Sequence, residues 1–389
     1  MSKIAEGYKQ TEVGVIPREW DLDEIQNLAD ITTGAKNTQD RILDGDYPFY
    51  VRSQTVERIN SYSFDGEAIL TAGDGVGTGK VFHYINGKFD FHQRVYKISN
   101  FSERLDGYFF YLYFSNNFYN RIMQMTAKSS VDSVRREMIA KMLIPLPPKA
   151  EQAAIATALN DADALITQLE KLIAKKRNIK QGAMQELLRP KEGWEVKSLG
   201  ECLRQNPDYG INAAAVTFNE SLPVYLRITD ITEEGRYSKK NIVSVSNINS
   251  LSYYLEKGDL VFARTGASVG KTYLYNTNDG KLVFAGFLIR IKTNSEILNP
   301  VYFQYYTQTS SYWNWIRANS MRTGQPGING NEYKELVLIL PSIETQTRIA
   351  QILSDMDAEI EALEKKLEKY KMIKQGMMQN LLTRRVRLI

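Results

Sequence analysis

Cysteine and histidine are almost missing from this chain of 389 residues, which has one cysteine, Cys202, and two histidines, His83 and His92. One thiol cannot close an internal disulfide, so a reducing, cytoplasmic setting is expected. No HExxH or CxxC occurs, which excludes the standard zinc sites. No run of 18 apolar residues exists, and the opening MSKIAEGYKQ lacks the apolar core of a signal peptide. The expectation is a protein that neither spans a membrane nor is exported by the usual route. An excess of one charge is lacking too: 49 basic against 45 acidic side chains leave a net charge of +4. That is too mild to argue for nucleic acid by itself.

What is present is ordinary for a folded chain, at 43% apolar and 24% charged residues. The length suffices for two domains with full cores. Tyrosine, at 23 residues, stands out. Its flat apolar face and polar tip suit recognition surfaces, and equally the decoration of β-sheet.

The second half repeats the first. LPPKAEQAAIATALNDADALITQLEKLIAKKRNIKQGAMQELL, from Leu146, aligns without a gap on LPSIETQTRIAQILSDMDAEIEALEKKLEKYKMIKQGMMQNLL, from Leu340, with roughly half the positions identical. The match reaches outward. It pairs Trp20 with Trp194, Arg52 with Arg227 (PFYVRSQTV and PVYLRITDI), and Lys80 with Lys271 (GEAILTAGDGVGTGKVF and GDLVFARTGASVGKTY). The offset drifts only within the β-rich parts. Uniform helices with divergent loops are what two units need when they share a scaffold and meet different ligands.

Met356, Ile360, Leu363, Leu367, Tyr370, Ile373, Met377 and Leu381 recur at spacings near three and four, an a/d seam. The first copy has Ala162, Ile166, Leu169, Ile173, Lys176, Ile179, Ala183 and Leu187 at those places. Pro147-Pro148 and Pro341 mark the starts, and Pro190 with Gly193 the end of the first helix. A seam about 60 Å long requires a partner, and the economical one is the other copy, running antiparallel, with the β-rich domains at opposite ends. Gly182 and Gly376, matched in mid-helix, suggest either close approach or a kink. Blocks 17–145 and 191–339 contain short apolar runs, Val81–Tyr84, Val95–Ile98, Leu260–Ala263 and Phe287–Ile291, punctuated by Gly, Asn and Asp. The aromatic stretches Tyr108–Tyr119 and Tyr302–Trp315 read as helices on a curved sheet. The fold class is α+β: two pseudo-twofold-related β-rich domains separated by two long antiparallel coiled-coil helices. The divisions are an N-terminal segment 1–16, domains 17–145 and 191–339, and helices 146–190 and 340–389.

Several motifs mimic catalytic ones. Gly266-Ala-Ser-Val-Gly270-Lys271-Thr272 has three residues between its glycines where a P-loop has four, and the first copy has Asp74 in the leading position and Val81 for the Ser/Thr. A glycine-rich hairpin, or a loop approaching a DNA phosphate or base edge, is the better reading. Gly75-Val-Gly-Thr-Gly79 is not GxGxxG, and no Asp-Pro-Pro-Tyr or Asn-Pro-Pro-Phe methyltransferase tetrapeptide occurs. His83 and His92 lie only in the first copy, which favours packing or surface roles. Asp161/Asp163 and Asp355/Asp357 are read as carboxylates opening the helices, where the dipole welcomes them, rather than as a metal site.

Leu146-Pro147-Pro148 with Glu151-Gln152, followed by a long helix closing on Lys180-Gln181-Gly182 and Met184-Gln185, resembles the specificity subunits of type I restriction-modification enzymes. Lys374-Gln375-Gly376 with Met378-Gln379 repeats the pattern. Ser342 and Thr345 depart from it. TEVGVIPREW from Thr11 looks like the family's opening, and TGQPGIN from Thr323 like its recognition-domain ending, whose counterpart KSSVDSV from Lys128 has drifted. The resemblance spans essentially the whole chain. It implies two target-recognition domains, each reading half of a bipartite asymmetric DNA site, and helices that set the spacer and dock two methylation subunits. The chain itself would be non-catalytic and hold no cofactor. S-adenosylmethionine, ATP and Mg would be held by the methylation and restriction subunits.

Base reading needs paired donors and acceptors. The candidates for DNA contact are Arg52, Ser53, Gln54, Lys80, Gln93 and Arg94 in the first domain, and Arg227, Thr229, Arg264, Lys271, Arg322 and Gln325 in the second. Arg52 and Arg227 share a strand context that suits phosphate positioning. Lys171, Lys175, Lys176 and Arg177 are read as a solvated helix flank in preference to a DNA-lining face. The rival readings are a coiled-coil scaffold without DNA recognition, a nucleotide-hydrolysing enzyme, and a specificity chain serving a fused restriction-methylase.

Overall fold

The computed structural model describes residues 6–125, 133–321 and 324–382. It divides into two compact units, residues 1–170 with 365–389, and residues 171–364.

The first unit opens with a hairpin of β1 (Tyr8–Thr11) and β2 (Gly14–Pro17), then β3 (Asp21–Glu24). Next come β4 (Asp30–Thr33), β5 (Tyr47–Tyr50), β6 (Glu57–Ile59), β7 (Phe64–Ala72), β8 (Phe82–Phe91) and β9 (Val95–Ser99). They form one sheet in the order β4-β9-β7-β8-β5-β6. Only β5 and β8 pair parallel. Helix α1 (Gly107–Met125) buries Phe109, Phe110, Phe114 and Phe118, and the rings of Phe110, Phe114 and Phe118 form a column with spacings of 5.3 and 4.5 Å. Burying these large aromatic faces is a substantial apolar contribution. After α2 (Arg136–Ala140), β10 (Leu143–Leu146) pairs with β3, Leu146 opposite Asp21, and leads into α3 (Lys149–Leu187).

The second unit follows the same order with altered details. Its strands are β11 (Glu195–Ser198), β12 (Asp208–Tyr209), β13 (Val216–Thr217), β14 (Val224–Leu226), β15 (Val243–Ser244), β16 (Asp259–Ala263), β17 (Thr272–Leu274), β18 (Leu282–Phe284) and β19 (Leu288–Lys292). From β12 onward they form two sheets, β12-β19-β16-β17 and β13-β15-β14-β18. The long β8 of the first unit corresponds to β17 and β18 together. Here the turn Asn276–Gly280, with Gly280 at φ 84°, interrupts that strand and splits one sheet into two. Then come α4 (Pro300–Tyr306), α5 (Ser310–Ser320), α6 (Gly330–Lys334) and β20 (Val337–Leu340), which sets Leu340 opposite Glu195, and α7 (Ile343–Leu381).

The stretch Tyr302–Trp315, expected as one helix, is therefore two. Thr307 turns its hydroxyl onto the Gln304 carbonyl, and the Thr309 hydroxyl accepts from Tyr312 N–H as a new N-cap. Threonine competing locally for backbone groups ends one helix and starts the next.

A repeated glutamine fixes each long helix to its unit. Buried Gln152 donates to the carbonyls of Arg104 and Pro147 and accepts from Asp106 N–H at the start of α1. Buried Gln346 donates to the carbonyls of Ile297 and Pro341 and accepts from Asn299 N–H at the start of α4. One side chain thus satisfies three buried backbone groups in each copy. In the first unit Trp20 adds an indole N–H bond of 3.0 Å to the buried Glu151 carboxylate. Thr345 stands at that place in the second, and Trp194 is only half-buried.

The long helices pair antiparallel. In the first unit Lys374 bonds Asp163 (2.5 Å) and Lys371 reaches Glu170 (3.1 Å). In the second, Lys180 bonds Asp357 (2.7 Å), Lys176 Glu359 (2.6 Å) and Arg177 Glu364 (2.6 Å). Asp163/Asp357 and Lys180/Lys374 are matched positions of the repeat, so the same bond is made twice. This corrects two expectations. The aspartates do not open the helices, which begin at Lys149 and Ile343, beyond the first-turn reach of the dipole; Asp163 and Asp357 serve as ion-pair partners. The seam does not continue through Ile179 and Ile373, which are 46% and 42% exposed. It moves one residue on, to Lys180 and Lys374, and then to Met184 and Leu188. A helix of 3.6 residues per turn drifts from a strict heptad, and the ion pair takes up the drift. Gly182 and Gly376 are not points of close approach, since a methyl group on either would meet nothing within 4 Å.

Candidate nucleic-acid interface

At one end of the first unit's sheet five segments converge, because strands must turn there and the backbone groups they expose bond one another. The β7–β8 loop (73–80) is tied by Gly73 N–H to the Arg94 carbonyl (2.8 Å) and by Val134 N–H to the Gly73 carbonyl (2.7 Å). The β8–β9 turn (92–94) is tied by His92 N–H to Tyr50 and by Gln93 N–H to Lys36. Gly34 is needed where β4 ends, because any side chain would overlap the carbonyls of Phe91 and His92. The β7–β8 loop is a glycine-rich hairpin, with Gly75 at φ 79° and Gly79 at φ 67°. In both copies a strand follows it (β8, β17), not the helix N-terminus that a P-loop presents to phosphate.

This end carries most of the candidates in the first unit. Asp74 accepts from Arg52 at 2.8 Å and pairs with Arg94 at 3.4 Å, and the two arginine side chains remain 44% and 64% exposed. Gln93 donates to the Asn37 side chain (2.6 Å), and Gln54 is exposed. The Ser53 hydroxyl bonds the Thr55 carbonyl, and its own carbonyl meets His83 Nε2. Lys80 is not part of the group. Its ammonium lies 5.6 Å from the Tyr119 ring of α1. His83 and His92 are buried, which holds both pKa values below the usual 6.5; at His92 the Arg52 charge acts in the same direction. His92 Nδ1 accepts from Arg94 N–H, which fixes the turn.

The second unit rebuilds this end with other residues. Arg264 N–H bonds the Phe287 carbonyl, Gly286 N–H the Ile211 carbonyl, and Ile328 N–H the Arg264 carbonyl. The Arg264 guanidinium lies over the Tyr209 ring at 4.8 Å. Exposed Gln325 sits beside Gly266. Phe287 occupies the turn position of Arg94 and is 62% exposed. Arg227 is differently placed from Arg52. It grips Asp230 through Nε and Nη2 (3.0 and 2.8 Å) and the Asn241 carbonyl, so its fork is occupied within the fold, and the bond to Asp230 raises its pKa. Thr229 is exposed beside it. Lys271, like Lys80, is away from the group. It pairs with Glu233 with its side chain 18% exposed, and lines a cavity of about 530 Å³ with Arg177, Lys180, Arg236 and Asp357. Arg322 and Thr323 lie outside the described residues.

Asp74 and Phe287 were missed from sequence. Asp74 did carry a signal, as the one acidic residue of the glycine loop 73–80. Phe287 carried none, since exposure of the first residue of an apolar run is decided by the turn. Among the described residues no group of three His, Cys, Asp or Glu side chains is placed to hold a metal ion, and no helix is long and apolar enough to cross a membrane.

The type I restriction modification DNA specificity domain matches this chain twice, over residues 17–181 and 191–371. The chain therefore belongs to that family. Among its relatives, the type I restriction enzyme EcoDI specificity subunit of Escherichia coli is 23% identical over 91% of this chain and 85% of the relative. The MjaVIII specificity subunit of Methanocaldococcus jannaschii is 24% identical over 98% and 96%. The fold is similar to the crystal structure of the type I restriction-modification system S subunit from M. genitalium, with a TM-score of 0.62 and 17% identity over 93% of this chain and 96% of that one.

Proposed function

We propose that this chain is the DNA sequence-specificity subunit of a type I restriction-modification complex, without catalytic chemistry of its own. Each unit reads one half of a bipartite, asymmetric site on double-stranded DNA, and the paired helices set the spacer and dock two methylation subunits. Restriction subunits complete the assembly, which acts in the cytoplasm. S-adenosylmethionine, ATP and Mg belong to those partners.

The observation that carries this reading is the contrast within the duplication. The glutamine latch and the Lys–Asp helix bond are the same in both copies. The loop ends present Arg52, Asp74 and Arg94 in one copy and Arg264, Tyr209 and Phe287 in the other. A duplicated scaffold whose two ends offer different chemistry suits two different half-sites at a fixed separation.

The test is exchange of residues 17–145 for the same block of a relative, followed by methylome sequencing of a host that also makes the methylation subunits. One half of the methylated motif changes and the other stays. Change in both halves, or in neither, refutes the reading. Binding of duplex DNA by the assembled complex falls steeply with salt as phosphate contacts release counterions; salt-insensitive or absent binding would favour the scaffold alternative.

A further inference from the structure

We infer that the β8–β9 turn residue is a specificity determinant: Arg94 reads a guanine in the half-site of the first unit, and Asp74 is the positioning residue that aims it. The inference rests on the DNA-specificity reading above and adds a base class and a residue to it.

The geometry separates Arg94 from Arg227, Lys271 and Lys80. Arg227 and Lys271 spend their donors on Asp230 and Glu233, and Lys80 lies against α1. Arg94 is 64% exposed at a turn whose backbone is held three times, by Gly73 N–H to its carbonyl, by its own N–H to His92, and by Gln93 N–H to Lys36. Among the described residues its guanidinium pairs with Asp74 alone, through Nη1 at 3.4 Å, and with the side chain 64% exposed its further N–H donors are open to a ligand. A guanidinium steadied along one edge by a carboxylate loses less rotamer freedom on binding. Its remaining donors form the fork that fits O6 and N7 of guanine, the commonest specific contact in the major groove. Asp74 serves Arg52 and Arg94 together, so the three side chains keep a net charge of +1 near the phosphates. An unshared carboxylate at the loop tip would repel DNA, and only the two arginines make it tolerable there.

The other copy supports a role in discrimination. Phe287 stands at the matching turn position, its carbonyl bonded to Arg264 as that of Arg94 is to Gly73. The residue there that matches Asp74 is Thr265, next after Arg264 as Asp74 is next after Gly73. The backbone is kept while charge, donor set and positioning acid are all replaced. A residue needed for folding, or one that only holds phosphates common to both half-sites, would have no reason to change from arginine to an exposed phenylalanine. The apolar ring suits the C5-methyl of thymine, the one apolar group that a base pair shows in the major groove.

The experiment is methylome sequencing of hosts making the methylation subunits with the full chain carrying Arg94→Lys, Asp74→Asn or Phe287→Arg, beside the unsubstituted chain. Expected for Arg94→Lys and Asp74→Asn is relaxation at one guanine of the half-site assigned to residues 17–145, with discrimination at that base falling about 5- to 150-fold and the other half unchanged. Phe287→Arg alters one position of the other half only. If these variants lower methylation equally at every site while the motif stays the same, Arg94 is a phosphate contact and the inference fails while the specificity reading stands. If the unsubstituted chain directs no bipartite motif, both fail. Thermal unfolding of Asp74→Asn, a near-isosteric change at a surface loop, matches that of the unsubstituted chain; a collapsed Tm would make Asp74 a folding residue and overturn its positioning role.

Discussion

Replacing Gln152 tests whether the repeated latch holds the long helix to its domain. The side chain is fully buried and makes three bonds, to the carbonyls of Arg104 and Pro147 at 2.8 and 2.9 Å and from Asp106 N–H at 2.8 Å. Each bond contributes about 1 kcal/mol net, and each buried group left unpaired costs about 1–3 kcal/mol. Gln152→Met keeps the volume and removes every bond, so a loss of roughly 3–5 kcal/mol is expected from the polar groups alone. For a unit of this size that lowers Tm by about 6–20 °C. Gln152→Ala adds a cavity and costs more. Gln152→Glu turns a carboxylate toward two carbonyl oxygens and is at least as damaging as Gln152→Met. The assays are urea unfolding of the full chain and hydrogen exchange at the amide of Asp106, which loses protection ahead of the sheet. Gln346 makes the same three bonds at 3.0 Å, so Gln346→Met behaves alike, with the exchange signal at Asn299. A loss under about 1 kcal/mol in Gln152→Met, or an effect in one copy alone, would refute the argument.

Burial holds His83 and His92 below their ordinary pKa of 6.5. The unfolded chain therefore binds more protons in acid, and the stability of the first unit falls as pH drops below about 6.5; a Tm that holds level from pH 7 to pH 5, or one unaffected by His83→Gln with His92→Asn, contradicts this. A double-mutant cycle on Lys180 and Asp357 gives a coupling near the top of the range of about 0.2–1 kcal/mol for accessible pairs, because these side chains are 15% and 27% exposed. The cycle on Lys374 and Asp163, at 25% and 37%, gives less; the reverse order would show that burial does not set their strength. Lengthening the junction between Leu188 and Trp194, or α3 itself, changes the spacer of the methylated motif and leaves both half-sites intact; an unchanged spacer refutes the ruler role of the helices.

The repeat, the helix starts at the prolines and the β-rich character of the blocks between were all legible in the sequence. They follow from local chemistry: the spacing of apolar residues, proline's missing N–H, and glycine where a strand must turn. The identity of Gln152 with Gln346 was visible as a match, but its reason was not, since its three partners lie up to 49 residues away. Periodicity carried the helix seam correctly as far as Ile173. It then failed at Ile179 and Ile373, where drift and an ion pair with the facing helix override the apolar pattern.

The site divided in the same way. Arg52, Gln93 and Arg94 could be chosen as residue types able to read DNA, and the fold brings them to one sheet end. Arg227 and Lys271 looked equally suitable, and only folding supplied the acids Asp230 and Glu233 that occupy them. The linear chain determines which donors exist, how the units repeat and where elements begin. Which donors stay available is decided by tertiary structure, because a charge is bound by whatever acid comes within about 3 Å in space, however far away along the chain.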